Sequence, residues 1–150
     1  MRIVLDSNIL VRANPLVSPL GLARDLLLKI VAGPHVLVLS PAILTEVHRV
    51  LKYPNVQSKW PLAEDDIDRC LAFLETAAIV VDLPHTIAAF VSDPDDDPIV
   101  QTAITGQADV LCTRDQAFHH QAVQDACSVH NIRILDDLTL MHELRQLSKE

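Results

Sequence analysis

Apolar residues run unbroken in several short stretches of this chain, and helically spaced ones lie between them. Ile3, Val4 and Leu5 form the first run, which ends on Asp6. A continuous run of that kind suits a strand covered on both faces, as in a parallel sheet. Similar runs over residues 36–39, 78–81, 108–113 and 132–135 predict four more strands.

Between the strands the period becomes helical. Ser7-Asn8 is a turn and cap signal ahead of a short helix over residues 9–12, and Asn14-Pro15 and Ser18-Pro19 mark a loop. Leu22, Ala23, Leu26, Leu27, Ile30 and Val31 predict a helix over residues 20–32, stopped by Gly33-Pro34. Ser40-Pro41 offers a hydroxyl cap and a proline at the first helical position, and Ile43, Leu44, Val47, Val50 and Leu51 give that helix its apolar face. Residues 53–62 hold two prolines and the lone Trp60 and read as a loop. Glu64, Asp65 and Asp66 open a helix over residues 63–78, with Ile67, Leu71 and Leu74 on one face. Residues 86–91 read as one or two helical turns. Asp97-Pro98 repeats the cap-then-proline start, and Ile99, Val100, Ala103 and Ile104 supply the buried face that follows. Helices are expected over residues 116–126 and 138–147. Strands alternating with helices make a three-layer α/β fold, and 150 residues form a single domain, 1–150.

Composition narrows the function. The hydrophobic fraction is 49% with 3% aromatic residues, so the core is aliphatic and the chain is too apolar for disorder. Cys70, Cys112 and Cys127 lie in apolar segments without metal-ligand or redox spacing, and read as reduced core residues. No apolar run is long enough to span a membrane and no signal-peptide pattern opens the chain, so the cytoplasm is the expected location. A net charge of −8 opposes a simple DNA- or RNA-binding module, whose affinity comes from Lys and Arg. It is compatible with an enzyme whose acids cluster around cations.

Four acids are placed to do that. Asp6 and Asp115 leave the carboxyl ends of predicted strands, where open α/β sheets bind ligands. Glu46 lies off the apolar stripe of its helix, and Asp97 stands at a helix start. Singly, each reads as a cap or a solvated residue. Together at one sheet edge they would repel one another unless hard divalent cations such as Mg²⁺ or Mn²⁺ held them, an arrangement suited to phosphodiester hydrolysis. Asp93, Asp95 and Asp97 imitate the start of an EF-hand, but Pro98 stands in place of its glycine and Ile104 in place of its final glutamate. His119-His120 lacks partners at zinc spacing. A dehalogenase-type phosphatase needs a second Asp where Asn8 stands. Arg12, Arg49, Lys52, Lys59 and Arg114 are available to a nucleic-acid backbone.

The segments IVLDSNIL, SPAILTEVHRVLKYP, SDPDDDPIVQTAITGQADVLCTRD and the RIL before the last helix, in this order and spacing, resemble PIN-domain ribonucleases. The similarity is strongest to the VapC-like toxin components of toxin–antitoxin systems, and it covers nearly the whole chain. It implies a central parallel five-stranded sheet ordered 3-2-1-4-5 and Mg²⁺- or Mn²⁺-dependent cleavage of single-stranded or structured RNA with one or two ions. Asp6, Glu46, Asp97 and Asp115 match the family's metal-binding acids. Asn8 matches the polar residue that orients the first acid, and Thr113 the hydroxyl before the fourth. Asp93 and Asp96 fit as outer supports. A homodimer and a cognate antitoxin protein are implied partners. Ser7 replaces the commoner threonine, and Ala117 stands where many relatives carry a further acid, which bears on the second ion. The alternative is a catalytically silent PIN fold that binds RNA or protein.

Overall fold

The protein is described by a computed structural model over residues 1–17, 21–85 and 97–150. Strand β1 (Arg2–Leu5) lies at the centre of the sheet, flanked by β2 (Val36–Leu39) and β4 (Val110–Cys112). β3 (Ala78–Val80) and β5 (Arg133–Leu135) form the edges. All pairings are parallel and the order is 3-2-1-4-5, as expected. Ile3, Val4 and Leu5 are fully buried, which is why the first run carries no polar alternation. Burying each contributes about 1.5–3 kcal/mol, an upper figure because unfolded chains are not fully extended. The edge strand β3 is less covered, with Ile79 and Val80 exposed.

Helices cover both faces in a three-layer α/β/α arrangement. α1 (Ser7–Arg12) follows β1 directly and packs on α3 (Pro41–Leu51), while α2 (Leu22–Ala32) packs on α8 (Asp137–Leu147). α5 (Glu64–Ala77) lies against α3, and α6 (Asp97–Thr105) contacts α3, β1, β2 and β4. Gly106 ends α6 against the sheet. A Cβ there would lie 2.4 Å from Val38 Cγ1, so only glycine permits this approach. Ser40 caps α3 as expected, its Oγ accepting from Ile43 N. Thr102 Oγ1 is 2.8 Å from Ser40 Oγ and 2.6 Å from the Pro98 carbonyl, so a buried hydroxyl pair ties the start of α3 to the first turns of α6.

Two expectations fail. The stretch read as a loop over residues 53–62 contains α4 (Pro54–Lys59). Its helix needs no apolar stripe because it buries nothing; Pro54 sets the first turn, and Gln57 N and Trp60 N donate to Tyr53 O and Val56 O. The helix expected over residues 116–126 is broken. A 3₁₀ turn, Gln116–His119, buries Phe118 completely, His120 is extended, and α7 (Gln121–Val129) starts anew. The cysteines are free, with Cys112 and Cys127 buried and Cys70 partly so. Burial pushes all three thiols up, Cys127 to about 11, which suits inert core residues. Residues 86–91 and the Ser18-Pro19 turn lie outside the described residues.

Candidate metal and phosphodiester site

Register builds the site. Leu5 pairs with Cys112, so the residues just beyond the two strands, Asp6 and Thr113, emerge side by side. Asp6 N donates to the Cys112 carbonyl at 2.9 Å, extending the ladder one residue past the strand. Thr113, fully buried, donates its hydroxyl to Asp6 Oδ2 at 2.8 Å and accepts from Asp115 N at 3.0 Å. One side chain therefore fixes the first acid and the backbone of the fourth. Asp115 Oδ1 accepts from Ala117 N at 2.9 Å, capping the 3₁₀ turn.

Asp6 is only 6% exposed. Burial pushes its carboxyl above the ordinary range; the Thr113 hydroxyl and the backbone amides of Ser7 and Asn8 oppose that, and the charge of Asp115 adds to it. A carboxylate in that position is short of positive charge. Beside it the Ser7 hydroxyl, buried to 3% exposure, has no hydrogen-bond partner among the described residues. Buried polar groups of this kind are ordinarily hydrogen-bonded, so the position is open to a polar ligand.

Asp6, Ser7, Asn8, Glu46, Arg49 and Asp115 line one cleft of about 380 Å³. Three of the four expected acids thus share a cavity at the carboxyl edge of the sheet. Glu46 reaches it from α3 and is hydrogen-bonded by Arg49 one turn on. Asp97, the fourth, is buried at the start of α6, and the next two residues, Pro98 and Ile99, line the cleft. Asn8 lines the cleft and offers Asp6 its backbone amide; the side-chain bond to Asp6 comes from Thr113. Asp93 and Asp96 lie outside the described residues.

Sequence reading missed another constellation. His48, Glu64 and Asp68 present ligand atoms within 4.8 Å of one another and are capable of coordinating a divalent ion. None of the three lines the cleft above. Glu64 is exposed and already shared between His48 at 3.3 Å and Lys52 at 3.0 Å, so an ion there would compete with an ammonium. α3–α5 packing assembles the group, and no spacing along the chain announces it.

A second, larger groove of about 800 Å³ shares Asp6, Asn8 and Asp115 with the cleft and runs toward α4, past Arg12, Arg114, Tyr53 and Trp60. Arg114 Nε is held by buried Asp137 at 2.7 Å. Among the described residues no helix is long and apolar enough to cross a membrane.

Comparison with known proteins agrees with this architecture. The family profile described as "PIN domain" matches residues 2–117. A chain in the crystal structure of VapBC2 from Rickettsia felis bound to a DNA fragment from their promoter superposes with a TM-score of 0.58 at 13% identity. The match covers 91% of this chain and 98% of that one, and at such identity it speaks for the fold. Among curated proteins, no sequence matches.

Proposed function

The chain belongs to the PIN-domain family, and on that premise we propose that it is a metal-dependent endoribonuclease that hydrolyses RNA phosphodiester bonds, acting as the toxin of a toxin–antitoxin pair. The observation that carries the reading is the cleft in which Asp6, Glu46 and Asp115 converge beside a buried hydroxyl with no partner among the described residues. The donor set fits a hard cation: carboxylate oxygens with neither thiolate nor imidazole, of the kind Mg²⁺ and Mn²⁺ take. Asp6, Glu46, Asp97 and Asp115 would hold one or two such ions, with Asp93 and Asp96 as outer supports. When bound, the metal supplies an activated water and charge stabilisation at the leaving oxygen.

The rest falls to the chain. Thr113 holds Asp6 in one rotamer and keeps Asp115 in register with it. Arg49 neutralises Glu46 and stands in the cleft wall, within reach of an incoming phosphate. Asn8 contributes a polar wall next to the first acid. The toxin assignment rests on the likeness of the sequence to VapC-like proteins and is supported by the VapBC2 superposition. It brings with it a cytoplasmic location, a homodimer and a small antitoxin partner.

The test is cleavage of a mixed RNA pool with Mg²⁺ or Mn²⁺ by the wild type and by Asp97→Asn, which keeps the side chain's size and removes its charge. Cleavage by the wild type and its loss in the variant are expected. Intact RNA with metal-loaded, antitoxin-free wild type would instead favour the silent, binding-only reading, which the Arg49–Glu46 pair and Ala117 would then explain.

A further inference from the structure

The single Trp and the single Tyr of this chain sit at the two ends of α4, as the residues that cap it. Trp60 is 38% exposed and Tyr53 40% exposed. α4 buries none of its own residues, so the core does not require either ring. Both line the groove that continues from Asp6 and Asp115, with Val50 and Val56 along its wall. Arg12 and Arg114 border the same groove, and the Lys59 ammonium stands 5.9 Å from the Trp60 ring centroid.

We infer that this groove is the binding track for unpaired RNA, with Tyr53 and Trp60 as stacking platforms for bases and Arg12 and Arg114 as contacts for the backbone; the inference rests on the nuclease reading above. Chemistry selects this occupant. A net charge of −8 leaves few cations to attract phosphates, so affinity has to come from elsewhere. Every base has a π-face, and aromatic platforms bind single strands without demanding a sequence. A duplex keeps its bases stacked inside and gives such platforms nothing to hold. Continuity with the acid cleft places a stacked nucleotide next to the scissile phosphate. The groove therefore selects single-stranded segments and fixes which phosphate reaches the acids.

Because Trp60 is the chain's sole tryptophan, its emission reads the groove directly. Metal-free, full-length protein is titrated with a ten-nucleotide single-stranded RNA and with the same sequence as a duplex, and cleavage with Mg²⁺ is run in parallel. Saturable quenching by the single strand and not by the duplex is expected. Anisotropy of labelled RNA should show about ten-fold weaker binding for Tyr53→Ala and for Trp60→Ala, with Trp60→Phe within about three-fold of wild type. Two backbone contacts on a single strand give a salt slope of about −1.4, hence a loss of only about seven-fold between 50 and 200 mM salt. Cleavage without quenching would overturn the groove and leave the nuclease standing. Quenching without cleavage would keep the groove and remove the nuclease. Equal quenching by the duplex would refute the platform, as would an emission change on concentrating the protein without RNA, which marks a protein–protein contact.

Discussion

Replacing Arg114 should damage the fold as well as the groove, and the two effects can be separated. Asp137 is 1% exposed in the first turn of α8, and its carboxylate accepts from Arg114 Nε at 2.7 Å and from Leu138 N at 3.0 Å. Removing one partner of a buried ion pair typically costs about 3–5 kcal/mol because a charge is left stranded. Here the arginine side chain is 49% exposed, so water screens the pair, and about 2 kcal/mol is the better figure for Arg114→Ala. In a protein of this size that lowers Tm by about 4–8 °C. Asp137→Asn removes the charge and retains an oxygen for Leu138 N, so the double variant Arg114→Ala/Asp137→Asn should recover at least half of the loss. Thermal unfolding of all four proteins in metal-free buffer closes the cycle, with an expected coupling of about 1–2 kcal/mol. RNA binding should behave differently, since restoring stability through Asp137→Asn returns no cation to the groove. Additive single effects on Tm, with no coupling, would show that Asp137 is stabilised by the helix start alone and that the pair does nothing for the fold.

Thr113→Val keeps shape and burial while deleting the hydroxyl that links Asp6 to the Asp115 amide. A loss of about 2 kcal/mol in chemical denaturation and a fall of about 10–100-fold in metal-dependent cleavage are expected, with Thr113→Ser near wild type. Asp136 caps α8 through its carboxylate, which accepts from Thr139 N at 2.7 Å; that hydrogen bond holds its carboxyl below the ordinary range. For an acid whose folded value is depressed, the contribution is present above the unfolded value of about 3.9 and fades as pH falls below it. Asp136→Ala should therefore cost about 1 kcal/mol at pH 7, nearly as much at pH 5, and much less below pH 3.5, as read by urea unfolding across pH.

Much of this architecture is legible because burial on both faces writes strands as uninterrupted aliphatic runs. Ile3-Val4-Leu5 could hardly be anything but a central strand, and the Ser40-Pro41 start needed no tertiary information. Elements that bury little or break late were not legible. α4 has no apolar period to read, since only Pro54 and local hydrogen bonds make it. The interruption at His120 follows from Asp115 capping a tight turn that drives Phe118 into the core, while the hydrophobic spacing runs on as if one helix continued. The acids were visible as types at strand ends and helix starts. The bond from Thr113 to Asp6 was not, because it depends on pairing between residues 107 positions apart. His48, Glu64 and Asp68 were invisible for the same reason, as was the placement of both Tyr53 and Trp60 on one groove.

Where the acids are anchored decides how the site will answer mutation. Asp6 is an extension of the central strand, held by its backbone to Cys112 and by its side chain to Thr113. Asp115 is three residues beyond the end of the neighbouring strand, and its amide is bonded to that same threonine. Glu46 and Asp97 ride on helices that are joined by the buried Ser40–Thr102 hydroxyl pair. The scaffold that aims the carboxylates therefore consists mainly of backbone ladders and hydroxyls, to which the Asp115 carboxylate adds the cap of the 3₁₀ turn, a bond that an amide oxygen can also accept. Neutralising Asp6 even relieves a buried charge that burial disfavours. Amide substitutions at the acids should thus remove metal binding without unfolding the chain, whereas substitutions at Thr113 or Ser40 should disturb both together.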